Sequence, residues 1–144
     1  MSSRPAADAE IATRLARAFE ASEESAIQAA YLFGSFAENR AHRESDVDVA
    51  VLLDRRLDAA DRFQVRLRLS SILPAAAGGR AVDVVVLNDA PPHLGRRAVL
   101  DGVRVFCRDS EADHAFRRDV QLRAADLEPF LRWTRELKIE ALRR

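Results

Sequence analysis

Residues 46–53 read Asp46-Val47-Asp48-Val49-Ala50-Val51-Leu52-Leu53, a β-branched run that predicts a strand. Side chains alternate across a strand, so Val47, Val49 and Val51 enter a core while Asp46 and Asp48 share the opposite face. Two ionised carboxylates held ~6–7 Å apart along a strand repel each other unless water or a cation lies between them. Magnesium suits such hard oxygen ligands: it commonly takes one or two protein carboxylates and fills its octahedron with water and substrate phosphates. In isolation the pair reads more simply as the wet edge of a half-exposed strand, so its meaning depends on its surroundings.

Upstream, the apolar run from Ala26 to Phe33, with Ile27, Tyr31, Leu32 and Phe33, predicts a buried strand that stops at Gly34-Ser35. A Gly-Ser pair there is ordinarily a tight turn. Its other reading is a phosphate cradle: glycine lets backbone come close to an anion, and the serine hydroxyl and helix N-terminal N–H groups donate to it. A short helical turn over 36–40 and a polar loop through Ser45 complete the connection.

Downstream, Asp54–Ala59 is a charged turn, and Phe63, Val65, Leu67, Leu69, Ile72 and Leu73 predict a helix closed by Pro74. After Gly78-Gly79, residues Ala81–Leu87 predict a third strand packed in the sheet interior, with Asp83 among its valines. Asp83 reads either as an ordinary strand-end residue or, beside Asp46 and Asp48, as the third carboxylate of a two-metal transfer site. In that second reading one ion orients a triphosphate and the leaving pyrophosphate, the other activates an incoming hydroxyl, and Asp83 bridges or accepts the hydroxyl proton.

Pro91-Pro92 open a short helix through Leu100, and Gly102 turns into a fourth strand, Val103–Cys107. At the start of the chain Asp8 is the expected N-cap of a helix carrying Ile11, Leu15, Ala18 and Phe19 and ending near Ala21. From Glu111 onward the chain reads as helix, restarted at Pro129. The alternation predicts an α/β (α+β) fold with a small mixed sheet and flanking helices. The expected organisation is one domain over 1–144, with a core of about 8–108 and a C-terminal helical segment at 111–144.

The chain has 144 residues, 48% hydrophobic and 32% charged, with 23 basic against 23 acidic residues and a formal net charge of +0. That balance disfavours a broadly basic nucleic-acid grip. No apolar run approaches the ~20 residues of a membrane span, and residues 1–9 lack an apolar signal core, so a cytoplasmic address is expected. Cys107, the single cysteine, reads as a small buried apolar residue, and Tyr31 as core packing. His42 and His93 fall in loops without metal-ligand spacing. Arg108 and His114, five residues apart, match a ribonuclease-type Arg-x(4-6)-His spacing, but strands flank them where an all-helical ribonuclease has none.

Taken together, Gly34-Ser35, ten intervening residues, Asp46-x-Asp48 and the later Asp83 resemble the signature of the DNA polymerase beta-like nucleotidyltransferase superfamily. The length is similar to its minimal nucleotidyltransferase (MNT) branch. The resemblance continues through Val82–Pro92 and Leu100-Asp101-Gly102, covering most of 26–108. Within that branch the chain looks like the MNT antitoxins paired with HEPN-domain ribonuclease toxins, which transfer AMP from ATP onto a toxin tyrosine and silence it. The resemblance implies that Gly34 and Ser35 bind the nucleotide phosphates, that Asp46 and Asp48 hold Mg2+, and that Asp83 completes the catalytic and metal-binding carboxylates, with two ions present when ATP is bound.

A HEPN toxin held in a hetero-oligomer is the implied partner. The alternatives are a binding-only antitoxin acting by occlusion and an enzyme modifying a small-molecule hydroxyl such as an aminoglycoside. Relatives often carry a basic residue followed by glycine just after the Gly-Ser pair; here Glu38-Asn39 stands there and brings a negative charge near the expected triphosphate. The helical segment after Glu111, with Phe116, Phe130 and Trp133, is a candidate docking element, although covering the sheet is the simpler role for its apolar side.

Overall fold

The computed structural model describes residues 4–34, 46–123 and 125. Ser35, the turn over 36–40 with Glu38 and Asn39, His42, and the C-terminal positions that include Phe130 and Trp133 lie outside the described residues. The elements run α1 (Arg4–Ala21), β1 (Ile27–Phe33), β2 (Val47–Leu53), α2 (Ala59–Ala76), β3 (Val82–Val86), a 3-10 turn (Leu87–Asp89), α3 (Pro92–Asp101) and β4 (Val103–Cys107). A helix over 110–123, here α4, follows.

The sheet order is β3-β2-β1-β4. β1 pairs antiparallel with β2 and with β4, and β2 pairs parallel with β3, so the sheet is mixed as expected. The strand period of two splits the core into two layers. On one face Val47, Val49, Val51, Leu53 and Val84 meet Leu15 and Phe19 of α1 and Leu69 and Leu73 of α2. On the other, Ala29, Tyr31, Phe33, Ala50 and Leu52 meet Ala98 and Val99 of α3 and Val120 of α4. Asp48 belongs to this second face.

Several boundaries differ from those read in the sequence. α1 starts at Arg4, so Asp8 is inside the helix and not its cap; Pro5 falls in the first turn, where its missing N–H costs nothing. α2 is capped by Asp58, whose carboxylate accepts from the Asp61 N–H at 2.8 Å, and it runs through Pro74 to Ala76. Pro74 is tolerated because the helix ends within a turn of it, where Gly78 and Gly79 take φ of 69° and 83° and the Gly79 N–H returns to the Pro74 carbonyl at 2.8 Å. Only Val65, Leu69 and Leu73 of α2 are buried; Phe63, Leu67 and Ile72 are exposed.

Among the described residues β3 is an edge strand and not an interior one, so Asp83 is exposed and incurs no burial cost. Among the described residues β4 is the other edge, which leaves Cys107 half-buried where burial was expected, and His93 lies in the first turn of α3 and not in a loop. Among the described residues no helix is long and apolar enough to cross a membrane.

Candidate active site

β2 and β3 are tied at their N-terminal ends by the Val47 N–H donating to the Ala81 carbonyl at 2.9 Å. From there the parallel register sets Val47 opposite Val82 and Asp48 opposite Asp83. Residues opposite each other in a ladder project from the same face, so these two carboxylates are lateral neighbours. Asp46 immediately precedes β2 and is exposed, two residues from Asp48 and therefore on its side of the sheet.

Gly34 closes over this group. Its φ of 75° is a left-handed backbone conformation that glycine adopts without penalty. A Cβ built there would overlap the Asp48 Oδ2 and stand 3.1 Å from Asp48 Cγ. The turn after β1 therefore brings bare backbone against the carboxylate, which no larger residue permits.

The family described as polymerase beta, nucleotidyltransferase matches residues 18–111, a span that holds Gly34, Asp46, Asp48 and Asp83. The chain belongs to that nucleotidyltransferase family. Over 80 residues it is 35% identical to the protein adenylyltransferase MntA of Shewanella oneidensis, a stretch amounting to 56% of this chain and 54% of that relative. The chain thus spans about half the length of the curated relative it matches.

Its fold is similar to a chain of a toxin-antitoxin complex with AMP-PNP, with a TM-score of 0.61 at 24% identity over 92% of this chain and 98% of that one. It is also similar to a chain of the complex of tri-AMPylated Shewanella oneidensis HEPN toxin with MNT antitoxin, with a TM-score of 0.55 at 23% identity over 98% and 99%. At these identities the likeness is one of fold.

In this nucleotidyltransferase domain the Asp48 carboxyl is held above its ordinary value, first by burial and then by the charge of Asp83, with Asp46 adding to the same effect. Arg97 of α3 acts in the opposite direction. Sequence reasoning missed Arg97: in a chain so rich in arginine, nothing marks one of them as facing the acids. Its placement follows from Gly102, where a Cβ would overlap the Ala98 carbonyl and lie 2.8 Å from the Leu32 carbonyl and 3.1 Å from the Phe33 Cβ. Only glycine lets the end of α3 lie this close to β1.

Among the described residues no three His, Cys, Asp or Glu side chains are gathered into a metal-holding group. The placement of Asp48 opposite Asp83 across β2 and β3 supplies hard carboxylate oxygens side by side, which fits magnesium's requirement for one or two protein carboxylates.

A second polar cluster lies in the same face layer, beneath α4. Asp113 is fully buried. It accepts from the Tyr31 hydroxyl and, at 2.9 Å, from Arg104 Nη1. Burial and the Asp113 carboxylate push the Tyr31 phenol well above its ordinary range. Tyr31 is therefore core packing with a polar tip, and the cluster joins α4 to β1 and β4. Arg108 stacks on Phe106, 5.3 Å from the ring centroid, and donates to the Glu24 carbonyl at 2.8 Å, a structural task at the end of β4.

Proposed function

We propose that this chain is a Mg2+-dependent protein adenylyltransferase antitoxin that transfers AMP from ATP to a tyrosine hydroxyl of a partner HEPN ribonuclease toxin and so neutralises it. The observation that carries the reading is the register of Asp48 against Asp83 across β2 and β3, with the backbone of Gly34 pressed on Asp48. Family membership and the adenylyltransferase activity named for the Shewanella oneidensis relative support it, as do AMP-PNP and an AMPylated HEPN toxin in complexes of similar fold.

In this mechanism Gly34 and Ser35 hold the nucleotide phosphates through backbone N–H groups and the serine hydroxyl. Asp48 and Asp83, with Asp46 beside them immediately before β2, would hold Mg2+, which would neutralise and orient the triphosphate. The tyrosine oxygen attacks the α-phosphorus of ATP, the bond from that phosphorus to the β,γ-pyrophosphate breaks, and AMP remains on the tyrosine. Asp83, exposed at the sheet edge, is open to an incoming hydroxyl and takes its proton. Arg97 offsets part of the negative charge at Asp48. The reaction belongs in the cytoplasm, where ATP is supplied.

Pyrophosphate release from ATP and Mg2+ tests the acceptor class when measured with the partner toxin and, separately, with an aminoglycoside. Release that requires the toxin supports the reading. Release with the aminoglycoside alone would replace the protein acceptor with a small molecule.

A further inference from the structure

The edge strand β3 carries Asp83, and along that edge runs a groove of about 320 Å³. Three consecutive strand residues, Val84, Val85 and Val86, line it. A sheet face presents every second residue, so a groove lined by successive residues follows the backbone edge. Phe63 and Arg66 of α2 wall it on one side, and Leu94 of α3 on the other. The result is a slot continuing the plane of the sheet, and among the described residues no strand occupies it.

Its chemistry selects an occupant. Phe63 offers apolar surface, 53% exposed. Arg62 is engaged by Asp89, with Nη2 2.9 Å from Oδ1, which neutralises the acid in the groove. Arg66 is exposed and leaves one positive charge facing the slot. Main-chain pairing at an open edge gives a peptide its affinity, and pockets beside the edge give it selectivity.

We infer that the free edge of β3 receives an extended, acidic segment of the partner protein as an added strand, with Arg66 pairing its acid and its acceptor tyrosine brought beside Asp83. The inference rests on the adenylyltransferase reading and specifies how that reaction's acceptor docks. The geometry is economical: a residue added opposite Asp83 projects from the same face, with its Cβ ~5 Å away. The docked strand therefore delivers a side chain directly to the carboxylates.

Amide hydrogen exchange of β3, followed without ATP in the free chain and in its complex with the HEPN toxin, tests this. Outward-facing amides within Val84–Val86 should slow at least about tenfold in the complex. Arg66→Glu should weaken toxin binding several-fold with an unchanged melting temperature. Unchanged β3 exchange in the complex overturns the inference, and so does protection that grows with chain concentration in the absence of toxin, which would assign the edge to a second copy.

The two readings fail separately. Protection of β3 without AMP transfer by the unaltered chain removes the adenylyltransferase reading and leaves the docking edge, whereas transfer with unprotected β3 removes the docking edge alone. A toxin that does not bind overturns both.

Discussion

Gly34 and the carboxylate of Asp48 share one contact surface: no Cβ fits at position 34 without displacing Asp48 Oδ2. Gly34→Ala therefore moves the carboxylate and forces a left-handed φ on a residue that resists it. Displacements of about 1 Å at reacting groups can cost ~100-fold, and the variant should lose AMP transfer on that scale while remaining folded by circular dichroism. Near-normal transfer would mean that the close approach has no catalytic role.

Asp48 is held at a cost to stability. Burial and the charges of Asp83 and Asp46 raise its carboxyl above the ordinary 3.8, so between that value and the raised one the folded chain binds more protons than the unfolded chain. The contribution of this group accordingly falls as pH rises through that interval, and the full penalty is present at neutral pH. Asp48→Asn should abolish transfer yet raise the melting temperature at neutral pH, with the gain disappearing in acid below the unfolded value. Mg2+ with ATP should raise the melting temperature of the unaltered chain and leave that of the variant nearly unchanged. Calorimetry at several pH values, with and without the ligands, reads both effects.

Arg97 pulls the Asp48 carboxyl downward. Arg97→Ala should let it rise further, moving the acidic limb of the kcat/KM profile, which reports the free enzyme, towards neutral pH. Arg97→Lys keeps the charge and should restore most of the original profile. An acidic limb that stays in place in Arg97→Ala would show that the helix charge does not reach the site.

How much of this was legible in the sequence depends on the range of the signal. The strand at 47–53 and its face alternation are local, and Asp48 and Gly34 stand out in the sequence because their residue types can carry chemistry at fixed spacing. The neighbour relationship of Asp48 and Asp83 was only inferred from the joint pattern, since strand register over an intervening helix is not a local property. β3 reads as an interior strand because its valines look buried; packing by α2 on one face suffices for Val84 and Val86, and nothing local reveals that among the described residues no strand pairs with its other edge. Pro74 looked like a terminator because proline breaks helix interiors, whereas the Gly78-Gly79 turn supplies the actual stop. Asp113 carried no sequence signal, being one acid in a charged helix, although it is the buried one.

That burial makes Asp113 dependent on its partners. Tyr31→Phe removes a donor to a fully buried carboxylate and should cost ~1–3 kcal/mol in urea denaturation, loosening α4 from β1. Catalysis should change far less than stability, because the cluster touches none of the three site acids. A stability loss below a few tenths of a kcal/mol would show that Arg104 alone satisfies Asp113.

The intact mass of the proposed partner HEPN toxin after incubation with this chain, ATP and Mg2+, beside a control in which Asp46 and Asp48 are both Asn, decides whether AMP is transferred to it. The toxin should gain whole AMP units with the unaltered chain and none with the control. A tight complex whose toxin mass is unchanged would rule out AMP transfer and leave occlusion as the means of neutralisation.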